Sequence, residues 1–214
     1  QLTRDNHFVV MHDYNLQRLT GRNARVRDLT LDEIKTLTIR ENNFESRIPT
    51  FEEYVNKAKK INIKLLVEIK PSGDEPEDFA EMFIKKFRKL GVEKTFKVMS
   101  LDLDLMRKIE RIDPVIETGF VIPIQFGDFD DSKIDFYVIE DFSYRSGLAF
   151  KAHKKHRKIF VWTLNTQSEI SRYLQEPIDG IISDEIQMIE DIEKEDRSKE
   201  PILKSFVRLL KLRF

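Results

Sequence analysis

Leu65-Leu66-Val67-Glu68-Ile69-Lys70 is the stretch whose side-chain alternation decides the fold. On a strand of period two, Leu66, Glu68 and Lys70 share one face, and Leu65, Val67 and Ile69 share the other. The all-aliphatic face suits packing beneath helices. The mixed face sets a carboxylate and an ammonium at the C-terminal end of the strand, where barrels of parallel strands place their catalytic groups. An inward carboxylate is costly unless it binds a cation or pairs with a lysine. On spacing alone, a functional role and a plain Glu68–Lys70 ion pair at an exposed edge weigh equally.

Outward from this stretch, similar runs recur. They are Phe8–Met11 ending in His12-Asp13, Phe96–Ser100, Thr118–Ile122, Phe136–Ile139, Lys158–Thr163 and Gly180–Ser183. Helical spacing fills many of the gaps. Phe79, Met82, Phe83, Phe87 and Leu90 recur on one face before Gly91, a helix stop. Leu101–Ile112, Tyr144–Arg157 and Thr166–Leu174 read as further helices, and Thr166 with Glu169 makes a capping box. Short apolar strands alternating with helices predict a parallel sheet covered by helices. A closed barrel of eight such units takes about 250 residues, and the chain has 214. The expectation is therefore an α/β chain forming a (β/α)8 TIM barrel incomplete at its N-terminus, with an open doubly wound sheet as the fallback. A polar, insertion-like stretch at 16–48 interrupts the alternation. The barrel is expected over residues 1–192, followed by a charged segment and a basic amphipathic helix within 193–214.

Composition narrows the chemistry. The formal net charge is −1, which gives no electrostatic case for nucleic acid. No apolar run approaches the roughly 20 residues needed to cross a bilayer. There is no cysteine, so disulfides and thiolate metal sites are excluded and carboxylate, imidazole and hydroxyl chemistry remains. The chain begins with Gln1 instead of Met, so a processed or trimmed start is expected.

His12 shares a face with Phe8 and Val10 at the end of its run and suits general acid–base work, although an isolated His-Asp pair is more often structural. Trp162, the single tryptophan, ends a late run, where it walls a pocket or packs in the core. Asp184 is functional or caps the next helix. His7 is expected in an exposed turn. His153 and His156 sit in a lysine-rich, solvated helix face, with a phosphate or membrane contact as the lesser reading. In the C-terminal tail, Leu203, Phe206, Val207, Leu210 and Phe214 fall opposite Lys204, Arg208 and Lys211. Such a helix lies in a lipid interface, packs across the barrel or docks on a neighbouring copy.

Taken in order, these pieces resemble the glycerophosphodiester phosphodiesterase family. Gln1-Leu2-Thr3-Arg4-Asp5 looks like the end of its second strand. Val9–Asp13 with Leu16 and Arg18-Leu19-Thr20-Gly21 looks like its His-Asp motif and the segment beyond. Leu29–Ile34 and Ile48–Glu53 match two further stretches. Glu68-Ile69-Lys70-Pro71 matches its Glu-Ile-Lys motif, and Val161–Asn165 and Asp179–Asp184 match its closing strands. Each motif alone is weak, and six in order make the resemblance strong over residues 1–192.

The resemblance implies metal-dependent hydrolysis of glycerophosphodiesters to sn-glycerol 3-phosphate and an alcohol, within glycerol and phospholipid metabolism. By position, His12 is a catalytic histidine that protonates the leaving alcohol, Glu68 a ligand to Ca²⁺ or Mg²⁺, Lys70 a neutraliser of phosphate charge, and Trp162 a wall of the pocket near the glycerol. In the family pathway a glycerol hydroxyl attacks phosphorus and water then opens the cyclic phosphate. The family's His-Arg and Glu-x-Asp motifs have no counterpart here, so the chain alone is expected to be inactive. Two rivals stay open: a phospholipase-type barrel acting on intact lipid, and a catalytically silent barrel that binds phosphate or membrane. The expected partner is a small-molecule glycerophosphodiester. Membrane association, through upstream segments or the C-terminal helix, and a homo-oligomer are further expectations. So is a membrane-associated or extracytoplasmic location, with the cytoplasm as the alternative.

Overall fold

The structure is a computed structural model and describes residues 1–125, 129 and 133–199. The basic helix expected over 201–214 lies outside the described residues. The chain forms two compact units, one made of residues 1–64 and 68–92 and the other of residues 65–67 and those from 93 onward.

In the first unit the expected strand at Phe8–Met11 is not a strand of a parallel sheet. Leu2 bridges Phe8 and Val9 bridges Thr50, both antiparallel and isolated. The cause is the tight turn between them. Asn6 adopts φ 63°, its N–H donates to Thr3 O at 3.0 Å, and the Thr3 N–H donates to His7 O at 2.9 Å. The chain therefore folds back on itself before it can enter a parallel ladder, and His7 is exposed on the turn.

The polar stretch that follows is structured. It holds α1 (Gln17–Thr20), closed by Gly21 at φ 75°, and α2 (Leu31–Thr36), started by a Thr30–Glu33 capping box. β1 (Thr38–Glu41) and β2 (Phe44–Arg47) pair as an antiparallel hairpin. Asn42 and Asn43 supply the two left-handed turn residues that such a short hairpin requires. Val9, Met11, Leu16, Leu19, Val26, Leu29, Ile34 and Ile48 make a core of their own here. α3 (Phe51–Lys60) opens with a second capping box, Thr50–Glu53.

β3 (Leu66–Glu68) follows and is shorter than the predicted run. α4 (Phe79–Lys89) then packs its phenylalanines against α3: Phe51 meets Phe83 at 6.0 Å and stacks on Phe87 at 6.3 Å. Gly91, at φ 62°, lets the chain leave α4.

In the second unit strands and helices alternate, except between β5 and β6, where the described residues hold no helix. β4 (Lys97–Ser100), α5 (Leu103–Ile112), β5 (Glu117–Ile122), β6 (Phe136–Glu140), α6 (Ser146–Lys154), β7 (Lys158–Trp162), α7 (Gln167–Tyr173), β8 (Gly180–Ile181) and α8 (Ile186–Lys199) follow in chain order. The Asp102 carboxylate caps α5 by accepting from Leu105 N–H at 2.9 Å. The Thr166–Glu169 box caps α7 as its sequence predicts. The sheet runs β3-β4-β5-β6-β7-β8 in sequential order. Pairing is parallel from β4 through β8. Consecutive, parallel, helix-linked strands are the repeat of a (β/α)8 barrel.

Both faces of this sheet are buried, so its strands are apolar runs instead of alternating ones. Leu66, Met99, Val121, Phe136, Val138 and Phe160 form one interior cluster, joined by Trp162 and Ile182. Tyr137, Ile139, Ile159 and Val161 are buried on the other face. At the N-terminal ends of the strands, Glu117 pairs with Lys97 and with Lys158, the latter at 3.1 Å. Burial pushes the Glu117 carboxyl up, but the hydrogen bonds from the two lysines outweigh it and hold the group below its usual range.

Gly119 lies opposite Phe136 in register. A Cβ there would land inside the Phe136 ring, so the large and small residues are matched. Gly119→Ala should therefore destabilise the fold by about 1–3 kcal/mol, the usual cost of overpacking. Urea denaturation checks this, and an unchanged midpoint would refute the packing account.

Candidate active site

In the first unit the side chain of Gln1 brackets the His12-Asp13 backbone. Its side-chain amide donates to the carbonyls of Met11 at 2.9 Å, His12 at 3.2 Å and Asp13 at 2.9 Å. That bracket holds the His12-Asp13 backbone, which no sheet ladder supports.

His12 itself is open to solvent, with its side chain 75% exposed. Its Nδ1 meets Asp13 Oδ1 at 2.9 Å. Asp13 in turn accepts from Arg18 Nε at 2.6 Å and from a second Arg18 nitrogen at 3.2 Å, and Arg18 reaches Glu41 at 2.5 Å. The bonds from Arg18 and then His12 hold the Asp13 carboxyl at about 2. An ionised Asp13 can only accept, so His12 Nδ1 donates to it and Nε2 takes no part in this bond.

Glu68 ends β3 on the same face as Leu66, which points into the interior cluster. Lys70 Nζ lies 3.7 Å from Glu68, and the two side chains are only 14% and 25% exposed. The two functional groups are thus neighbours on a covered stretch, not an exposed edge. Beside them in the chain, Glu75 accepts from the Ser72 and Gly73 amides at 2.5 and 2.9 Å, closing the loop after Pro71.

Trp162 sits in the second unit at the C-terminal end of β7, packed against the interior cluster. Its indole Nε1 is buried without a hydrogen-bond partner. Asp184 accepts from Asn165 Nδ2 at 2.8 Å, and Asn165 Oδ1 accepts from the Asp184 amide, so Asp184 ties the end of β8 to the loop after β7. His153 bonds Asp179 at 2.8 Å instead of lying wholly in solvent.

The donor set for a divalent cation is thin. Among the described residues no three His, Asp or Glu side chains lie close enough to hold a metal ion. Glu68 already faces an ammonium, which repels a cation, whereas Ca²⁺ takes about 6–8 oxygen ligands. The described residues therefore do not by themselves fit a metal centre.

Sequence reasoning did not single out the bracketing role of Gln1 or the clamp of Arg18 on Asp13. Arg18 was visible only as part of a motif. Nothing local announces Gln1, because its three acceptors lie 10 to 12 residues along the chain.

The fold has parallels among solved structures, and the sequence among named proteins. Residues 1–188 match the Glycerophosphoryl diester phosphodiesterase family. A protein of Caldanaerobacter subterraneus subsp. tengcongensis named glycerophosphodiester phosphodiesterase is 27% identical over 195 residues, spanning 86% of this chain and 79% of that one. A glycerophosphodiester phosphodiesterase from Parabacteroides distasonis superposes with a TM-score of 0.79 at 22% identity, covering 92% of this chain and 82% of the other. An Oleispira antarctica phosphodiesterase, solved in complex with the product sn-glycerol-3-phosphate, gives 0.76 at 19% identity, covering 90% and 82%. The two structures share the fold, and the family match extends over most of the sequence: the chain belongs to the glycerophosphoryl diester phosphodiesterase family.

Proposed function

We propose that this chain supplies His12, Glu68, Lys70 and Trp162 to the hydrolysis of glycerophosphodiesters, releasing sn-glycerol 3-phosphate and an alcohol. The observation that supports the reading most is the covered Glu68–Lys70 pair, 3.7 Å apart at the C-terminal end of β3, where barrel enzymes place their catalytic groups. In this reading the glycerol hydroxyl next to the phosphate attacks phosphorus and gives its proton to a base, which the resemblance assigns to the family's second histidine, in the His-Arg motif that has no counterpart in this chain. His12 Nε2 protonates the departing alcohol oxygen, so that the leaving group departs neutral. Water then opens the cyclic phosphate. Lys70 offsets the charge on the phosphate oxygens, and Trp162 walls the pocket beside the glycerol.

A divalent cation, Ca²⁺ or Mg²⁺, is what the family resemblance implies, with Glu68 as a ligand. When bound it would screen phosphate charge. No step above passes through it.

Following glycerol 3-phosphate release from glycerophosphoethanolamine with a dehydrogenase-coupled assay, in the protein extended upstream of Gln1, tests the reading. Loss of the acid in His12→Ala should lower kcat by about 10²–10⁴-fold, the usual contribution of general acid catalysis. Intact phospholipid should be a poor substrate, and a preference for it over the glycerophosphodiester would favour a phospholipase instead.

Asp13 also gives a pH dependence. Its folded pKa, about 2, lies below the ordinary 3.8. The stability that it contributes is therefore present above about pH 4 and is lost as the pH falls through about 2. Melting temperatures between pH 5 and pH 2 should fall less steeply in Asp13→Asn than in the parent. Parallel curves would show that Asp13 does not carry this dependence.

A further inference from the structure

β6 ends in a carboxylate that no pairing in the described structure uses. Phe136 and Val138 point into the interior cluster that also holds Trp162. Strand alternation then places Glu140 on that same face, at the C-terminal end. In register Glu140 lies opposite Trp162 on β7, and neighbouring strands are about 4.8 Å apart. Glu140 is half-buried, and among the described residues it makes no hydrogen bond or ion pair.

Its neighbours are all compensated. Asp141 takes Arg172 at 2.6 Å, and Glu176 takes the Tyr144 hydroxyl at 3.2 Å. Glu117, at the opposite end of the strands, holds two lysines. Glu140 alone among these offers an uncompensated negative charge beside an indole. An indole face attracts cations, and most effectively those carrying alkyl groups that shed their water readily. A hard metal ion needs several oxygen ligands, and here there is one carboxylate next to an apolar ring.

We propose that Glu140 is a specificity-determining residue, which together with Trp162 takes the positively charged amine of the substrate's alcohol half. The proposal rests on the reading that Trp162 lines the substrate pocket. It deepens that reading by naming the class of alcohol preferred, one bearing an ammonium group.

Trp162 is the only tryptophan in the chain, so its fluorescence reports on this place without any turnover. Titrating the chain with choline chloride against sodium chloride, at constant ionic strength, should give a saturable change in emission. Glu140→Gln should weaken that response by about tenfold. No response in the parent protein, an equal response in the variant, or a response to calcium chloride and none to choline would each overturn the proposal. In turnover, Glu140→Gln should lower kcat/KM for glycerophosphoethanolamine about tenfold more than for the uncharged-headed glycerophosphoglycerol, mainly through KM. An equal effect on both would also overturn it. Turnover is read in the protein extended upstream of Gln1; its absence there on both diesters would count against the hydrolase reading alone, and the choline titration would then decide the role of Glu140.

Discussion

The structure depends on one constraint: a parallel sheet covered on both faces has no water-facing side on which to place polar groups. Every residue of β6 from Phe136 to Ile139 is buried. The same holds for Ile159, Phe160 and Val161 of β7. Each strand gains roughly 25 cal/mol per Å² of apolar surface taken from water, and a charge in mid-strand would forfeit that gain and add its own desolvation cost. Charged side chains are consequently pushed to the strand ends.

The two ends resolve this differently. At the N-terminal end, Lys97, Glu117 and Lys158 satisfy one another, which closes that end without inviting a ligand. Lys97 pays for its burial with a lowered pKa, only partly restored by Glu117. At the C-terminal ends, charges are left poised. Glu68 faces Lys70 at 3.7 Å, and Glu140 stands opposite Trp162 in register. The contrast follows the general asymmetry of such sheets, in which one end stabilises and the other acts.

The first unit solves a different problem. His12 is not on a strand, so its orientation comes from hydrogen bonds alone. Asp13 fixes the ring, Arg18 fixes Asp13, and Gln1 fixes the backbone beneath them. Such a chain costs side-chain entropy at every link. The hairpin and two capped helices around the core of Val26, Ile34 and Ile48 provide the rigid support that makes this affordable.

The sequence by itself determined the strand-and-helix alternation, because two-sided burial writes itself as short apolar runs. It also determined the helix start at Thr166, because a capping box is complete within four residues. The pairing of Glu68 with Lys70 was readable for the same reason, two residues on one strand face. Tertiary structure alone decided that Phe8–Met11 leaves the parallel ladder, since Leu2 and Thr50 compete for its backbone. It decided too that Glu117 meets lysines 20 and 41 residues away, and that Glu140 stands opposite Trp162. Local spacing fixes which face a residue takes, but only the register between strands fixes which residue it meets there.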